Sequence, residues 1–281
     1  MNRRVFRRVK SNVMTVVLMA CVLAAVLPLL FILGTLLLKG AGSLSLDFFT
    51  KMPAPAGENG GGVANAIVGT LLMVGTACLI GIPVGIGAGV FASEYPGNRL
   101  AILSRFVADV LNGTPSIVIG VFAWTWIVAK QKHFSGFAGS AALAMLMVPM
   151  IMRTTEELIT LVPHSLREAA LALGYSRWRT SLSVVLRTAL PGIVTGVLLA
   201  VARIAGETAP LLFTALGSQF MSTNLGQPMA ALPLVVFTYG TGPYEDWHRL
   251  AWATALVLIA VVFVLSVAAR LATRQRFDRR G

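Results

Sequence analysis

The feature that most constrains this chain is a series of apolar blocks longer than a buried helix of a soluble protein requires. Apolar blocks of about 18 or more residues match the thickness of a bilayer. Six blocks can be drawn, at residues 13–38, 65–92, 102–128, 137–152, 191–216 and 250–271. Only 12% of the 281 residues are charged, against roughly 25% in a soluble domain. The sequence therefore predicts an all-α membrane protein with six transmembrane helices.

The N-terminal block predicts a retained first helix. Five cations precede it, as in a signal peptide, but the apolar stretch of a signal peptide is only about 7–15 residues long. The block at 13–38 is longer and lacks a small-residue cleavage site. We therefore expect a basic tail at residues 1–12, a membrane domain at 13–271 and a second tail at 272–281.

The distribution of Lys and Arg predicts the orientation. If both ends are cytoplasmic, the inner side carries five cations in the first tail, two near the third block, five in the loop at 153–187 and five at residues 270–280. The outer side carries five, and Arg203 lies within the fifth block. Because cytoplasmic loops accumulate Lys and Arg, both termini are predicted to be cytoplasmic. The same bias explains the net charge of +12 without nucleic acid as a partner.

Nothing in the sequence indicates a metal, a redox centre or a nucleotide bound by this chain. Cys21 and Cys78 both lie in apolar blocks and form no C-x-x-C pair, and the three histidines show no H-E-x-x-H spacing. No lysine stands in a G-x-x-x-x-G-K-[ST] motif. We expect no cofactor here, and we expect any ATP hydrolysis to belong to a separate chain.

The long inner loop at 153–187 has the sequence signals of two short helices. Ser165 and Glu168 have the spacing of an S-x-x-E capping box, which predicts that Ser165 caps a helix. Gly174 stands where a left-handed residue ends a helix, and Ser176 could cap a second helix that enters the fifth block. These signals suit a docking element for a soluble partner and an ordinary surface loop equally well.

The loop also resembles a known motif. Glu168-Ala169-Ala170, then three residues, Gly174, nine residues and Val184-x-Leu186 are similar to the E-A-A loop of binding-protein-dependent ABC importer permeases. The resemblance implies a MetI-like permease fold and a short helix that rests in a groove of a partner ATPase. It assigns the contact with that ATPase to Ser165, Glu168, Ala169, Ala170 and Gly174.

One position departs from that motif. Arg187 stands where the family has proline. Pro191, four residues later, is expected to supply the break in the helix instead.

The charged pair in the fifth block is the candidate functional site. Arg203 lies about 18 Å along a helix from Pro191, and a charge near the middle of a bilayer costs about 2.5–3.5 kcal/mol. Glu207, four residues further, can pair with it. The pair either locks helices together or forms an oxyanion site. In the second interpretation the guanidinium binds a tetrahedral oxyanion and Glu207 orients it or accepts a proton from protonated phosphate.

A second resemblance is more specific. The string G-E-T-A-P-L-L-F-T-A at residues 206–215 resembles the PstA-type permeases of phosphate-specific transport, as do the segments at 113–120, 153–157 and 162–174. The likeness covers roughly residues 60–272. It implies an inorganic phosphate pathway that includes Arg203, Glu207 and Thr208. The implied partners are a PstB-type ATPase dimer, a PstC-type second permease and a periplasmic phosphate-binding protein.

Other functions stay open at this point. A permease for sulfate, molybdate or phosphonate would share the loop motif. A membrane-embedded phosphatase or transferase would need a cluster of His, Asp or Arg at one interface, which the sequence does not show. An ion channel would conduct without ATP.

Three local features carry further expectations. Asp109 is expected to pair with Arg105 at i,i+4. The segment Thr114-Pro115-Ser116 predicts a kink in the third span. The apolar stretch at 230–237, which lies between Leu225 and Tyr239, is too short to span and is expected to form a re-entrant or interfacial element.

Overall fold

The computed structural model describes residues 3–55, 58 and 60–277, and this part of the chain is a helical bundle without β-strands. Two five-residue π-helical segments, Trp124–Val128 and Ser181–Val185, continue α5 into α6 and α9 into α10. The helices are α1 (Arg3–Gly40), α2 (Leu46–Thr50), α3 (Ala64–Glu94), α4 (Arg99–Gly113), α5 (Ser116–Ala123), α6 (Ala129–Gln131), α7 (Gly136–Thr160), α8 (His164–Ala172), α9 (Arg177–Thr180), α10 (Leu186–Ala205), α11 (Ala209–Thr214), α12 (Leu232–Gly240) and α13 (Glu245–Phe277). Residues 1–2 and 278–281, in the two expected tails, lie outside the described residues.

Five helical stretches in the described part of the chain are long and apolar enough to cross a membrane. They are Lys10–Ser43, Ala64–Glu94, Gly136–Thr160, Arg177–Ala205 and Glu245–Ala268. A bent pair, Arg99–Gly113 with Ser116–Gln131, makes a sixth if it is counted as one span. The prediction of an all-α membrane protein is confirmed, and six spans agree with this count.

The third apolar block is interrupted near its centre. The helices on either side of Thr114 and Pro115 are bent by 109°, which is a sharper turn than the expected kink. Thr114 has extended backbone angles, because a residue before proline is disfavoured in the helical region. Pro115 also lacks the N–H that would continue the helix. The block is therefore two helices rather than one.

The structure shifts two boundaries expected around the inner loop. The helix of the fourth block does not end near residue 152, because α7 continues to Thr160 as a 25-residue helix. The expected break at Pro191 is absent, since α10 runs through this proline. Ala189 and Ile193, on either side of it, are buried in one cluster with Ile159 of α7. Tertiary packing therefore holds the helix together despite the proline.

Helix α7 is the centre of the bundle, and α3 packs closely along it. Two-thirds of the most apolar stretch of α7 (67%) is buried inside this chain. Gly81, Gly85 and Gly89 recur every fourth residue on the face of α3 that contacts α7. A Cβ at Gly85 would lie 2.7 Å from the Cβ of Ile151. Small residues let membrane helices approach this closely.

Substituting Gly85 with alanine is expected to destabilise the protein by about 1–3 kcal/mol, the usual cost of overpacking. Gly87 is the matched control, because a Cβ there meets no atom within 4 Å. Gly87→Ala should leave stability unchanged or raise it slightly. The thermal unfolding midpoint in detergent measures both variants, and equal midpoints would contradict the packing described here.

The stretch expected to be re-entrant forms α12, a helix of nine residues. At 1.5 Å per residue it is about 14 Å long, too short to cross a bilayer. Its buried residues include Leu234, Val235 and Tyr239. The connection before α12 also fixes the start of α7, because the N–H groups of Gly136 and Phe137 donate to the carbonyls of Gln227 (2.9 Å) and Leu225 (2.8 Å).

Candidate functional site

The fifth apolar block, expected as one helix over residues 191–216, is broken at residues 206–208. Helix α10 ends at Ala205, and α11 begins at Ala209 with Pro210 in its first turn. The N–H groups of Gly206 and Glu207 close the end of α10 on the carbonyls of Arg203 (3.1 Å) and Ile204 (3.2 Å). Pro210 has no N–H to donate back to Gly206, so the α-helical hydrogen bonding stops here.

The packing of α10 against α7 gives the depth of Arg203. The two helices are antiparallel, and Gly196 lies against the side chain of Thr154. Arg203 lies seven residues after Gly196, and Met147 lies seven residues before Thr154. Because the helices are antiparallel, Arg203 and Met147 are at the same level. Met147 is fully buried and lies near the middle of α7. Arg203 therefore lies level with the middle of α7, although it is in the last turn of α10.

Arg203 points away from the core of its own chain. Its neighbours Ala202 and Ile204 are buried, whereas the Arg203 side chain is 60% exposed. Its Nε lies 3.8 Å from Oε1 of Glu207, whose side chain is 19% exposed. The expected pair forms, but 3.8 Å is too long for a hydrogen bond. The guanidinium therefore presents N–H donors at a surface that this chain does not cover.

The segments that follow the two helix breaks pack against each other. A Cβ at Gly120 of α5 would lie 2.6 Å from the Cα of Pro210 in α11. Ile119 and Leu211 are buried in the same cluster. At the far end of α11, the N–H of Ser135 donates to the carbonyl of Thr214 (3.0 Å), which ties this segment to the start of α7. The Gly120–Pro210 contact was not predicted, because a glycine in an apolar string was its only signal in the sequence.

A second group of charges lies where α4 meets the last turns of α7. The expected Arg105–Asp109 pair is wrong, because each residue pairs across to α7 instead. Arg153 donates to both carboxylate oxygens of Asp109, with Nε 2.9 Å from Oδ1, and its Nη1 lies 3.2 Å from Glu156. Arg105 pairs with the same Glu156 and donates to the carbonyl of Pro96 (3.1 Å). These contacts explain why α7 continues through its polar residues.

The helix of the inner loop, α8, begins two residues earlier than expected. It starts at His164 with Pro163 as N-cap and no side-chain cap. The predicted capping box is therefore wrong, since Ser165 lies inside the first turn. Pro163 has φ −57° and ψ 137°, so its ring sets φ and the chain turns into the helix directly after it.

The end of α8 is as predicted. Gly174 has φ +84°, a left-handed conformation that favours glycine. The N–H of Gly174 donates to the carbonyl of Leu171 (2.9 Å), and that of Tyr175 donates to the carbonyl of Ala170 (3.2 Å). This is the Schellman arrangement, and the left-handed cap is confirmed. Ser176 occupies the N-cap position of α9, although its side chain makes no capping hydrogen bond.

The residues predicted to contact an ATPase divide between two faces of α8. Ser165, Glu168 and Ala169 are exposed, whereas Ala170 is buried against its own chain. Arg167 forms an ion pair with Glu94 at the end of α3. The exposed face is therefore free for a partner, and the opposite face is fixed to the span. This ion pair was not predicted, because residues 73 positions apart in the sequence give no spacing signal.

Comparison with known proteins identifies the class of protein to which this fold belongs. Residues 81–278 match the family model of the binding-protein-dependent transport system inner membrane component. A chain from the inward-facing structures of the MetNI methionine ABC transporter shares the fold, with a TM-score of 0.60 at 19% identity over 75% of this chain and 94% of that chain. The chain is thus a multi-pass membrane protein with an ABC importer permease fold.

Two curated relatives are much more similar in sequence. The phosphate transport system permease protein PstA of Yersinia pestis is 47% identical, over 96% of this chain and 92% of its own length. The protein of the same name from Haemophilus influenzae is 48% identical, over 86% of both chains. The chain therefore belongs to the binding-protein-dependent inner-membrane permease family, in its PstA-type branch. It is a transport subunit of an ABC importer and not an enzyme.

Proposed function

We propose that this permease translocates inorganic phosphate across the bacterial inner membrane by alternating access. The observation that carries the proposal is the position of Arg203. Its side chain is 60% exposed on the surface of this chain, and it lies level with the middle of α7. A charge at this depth must face a partner or water. Arginine binds tetrahedral oxyanions through paired N–H groups. The relatives named for phosphate transport support the choice of anion.

The neighbouring residues favour phosphate over sulfate. Glu207 lies 3.8 Å from Arg203, so a bound oxyanion would meet a carboxylate as well as a guanidinium. A carboxylate accepts a hydrogen bond from protonated phosphate, whereas sulfate carries no proton near neutral pH and would be repelled. Thr208, half-buried in the same break, would line the pathway. Discontinuous helices of this kind frequently hold the substrate sites of transporters.

The exposed face of α8 is the proposed docking surface for the ATPase. Ser165, Glu168 and Ala169 would contact it, while Ala170 and the cap at Gly174 hold the helix in place. The Arg167–Glu94 ion pair would pass movement of α8 to α3. The partners proposed are a PstB-type ATPase dimer that uses ATP, a PstC-type second permease and a periplasmic phosphate-binding protein. Both termini and α8 would then be cytoplasmic, in agreement with the Lys and Arg bias.

Uptake of labelled phosphate by proteoliposomes that contain the complete importer tests this proposal. Uptake should require ATP and the binding protein, and a large excess of sulfate should leave it unchanged. Equal competition by sulfate would favour a permease for another oxyanion. Uptake without ATP would indicate a channel. Either result would overturn the proposal.

A further inference from the structure

A cavity of about 700 Å³ lies between the end of α3, helix α8 and the start of the helix that continues into α10. It is separate from the break at residues 206–208, and none of the pathway residues lines it. Its walls divide into a charged part, formed by Glu94, Arg167 and Arg177, and a largely apolar part.

The charged part carries an excess of positive charge. Arg167 is paired with Glu94, but its Nε is buried and has no hydrogen-bond partner among the described residues. Arg177 is exposed, and its guanidinium has no ion pair or hydrogen bond in the described part of the chain. Thr180, 4% exposed, also lines the cavity, and its hydroxyl has no hydrogen-bond partner among the residues that the structure describes. These donors suit an anion.

The apolar part points to a lipid rather than a free ion. Leu171 is 45% exposed, Leu182 48% and Trp178 67%, and all three line the cavity. Tyr95, at the end of α3, is 56% exposed on the same wall. Trp and Tyr are enriched at the headgroup level of membranes. A free anion would make no favourable contact with this apolar wall, whereas an acyl chain would cover it.

We propose that this cavity binds an anionic phospholipid, whose phosphate group lies at Arg177 and Arg167 and whose acyl chain covers Leu182 and Tyr95. Basic pockets between membrane helices on the cytoplasmic side bind such headgroups. Because Arg167 belongs to α8, the lipid contacts the helix that carries the proposed docking surface. That link to coupling rests on the proposed function, whereas the binding itself does not.

Native mass spectrometry of the complete importer tests the site, with phosphatidylglycerol and phosphatidylcholine as the added lipids. We expect the wild-type importer to retain phosphatidylglycerol in preference to phosphatidylcholine. Arg177→Gln should weaken retention by roughly tenfold, because it removes a charge-assisted contact. Arg177→Lys should retain more lipid than Arg177→Gln, since it keeps the charge. Arg99→Gln is the matched control, because this exposed arginine on the same side of the bundle lies outside the cavity.

The proposal would be overturned by undiminished retention by Arg177→Gln, by equal retention of phosphatidylcholine, or by displacement of the lipid by inorganic phosphate. Absence of the lipid from the wild-type complex would also overturn it. Phosphate uptake by the same preparations is measured separately. Normal uptake without selective lipid retention contradicts only this inference, whereas selective retention without phosphate uptake contradicts only the proposed function.

Discussion

Replacing Arg203 with lysine is expected to reduce phosphate uptake by about ten- to a hundredfold while the importer still assembles. Lysine keeps the positive charge but loses the planar fork that binds two oxygens at once. Hydrogen bonds to charged groups contribute about 1.5–3 kcal/mol, which corresponds to this range. Assembly should persist, because the side chain is 60% exposed from its own chain and its one ion pair is long, at 3.8 Å.

Initial rates of ATP-dependent phosphate uptake, with subunit composition checked on the same vesicles, measure this effect. Arg249→Lys is the matched control, because Arg249 is also exposed and its pair with Asp246 (3.0 Å) lies in the first turn of α13. The control should transport at the wild-type rate. Undiminished uptake by Arg203→Lys would remove the binding role of this residue. The pair with Glu207 would then serve only to hold helices together.

Replacing Glu168 with lysine is expected to reduce co-purification of the ATPase by at least about tenfold. Glu168 lies on the exposed face of α8, so the variant should leave the fold of this chain intact. Reversal of a charge at a docking surface replaces an attraction with a like-charge contact, which costs several kcal/mol across an interface. ATP-driven uptake should fall in parallel.

The amount of ATPase recovered with the tagged permease from membranes is the measurement. Glu245→Lys provides the control, since Glu245 is exposed at the start of α13 and not on α8. It should recover the ATPase as the wild type does. Normal recovery with Glu168→Lys would show that the exposed face of α8 does not dock the ATPase in the way proposed.

The class of the protein and much of the candidate site could be predicted from the chain because their signals are local. Apolar blocks of bilayer length predict spans whatever they pack against, and the φ of +84° at Gly174 is a conformation that favours glycine. The i,i+4 spacing of Arg203 and Glu207 likewise predicts their pairing. The E-A-A loop and the G-E-T-A-P string added the family, although they gave no contacts between segments.

Other features depend on partners distant in the sequence. The capping signal at Ser165 was misleading because α8 takes Pro163 as its N-cap and so begins two residues earlier. Arg105 and Asp109 have the spacing of a helical pair, yet each reaches α7 instead. A cross-helix pair brings together charges that would otherwise lack partners at the edge of a bilayer, and no sequence spacing records it.

The sequence by itself determined that this chain crosses a membrane and that a charge pair interrupts one crossing, because hydrophobicity and helical spacing act over a few residues. Only the tertiary structure decided that the crossing breaks at residues 206–208, that α11 packs on α5, and that Arg203 faces away from its own core. These outcomes depend on which neighbour fills the space beside each helix. Close packing of the whole bundle decides which neighbour this is, and no short stretch of sequence contains that information.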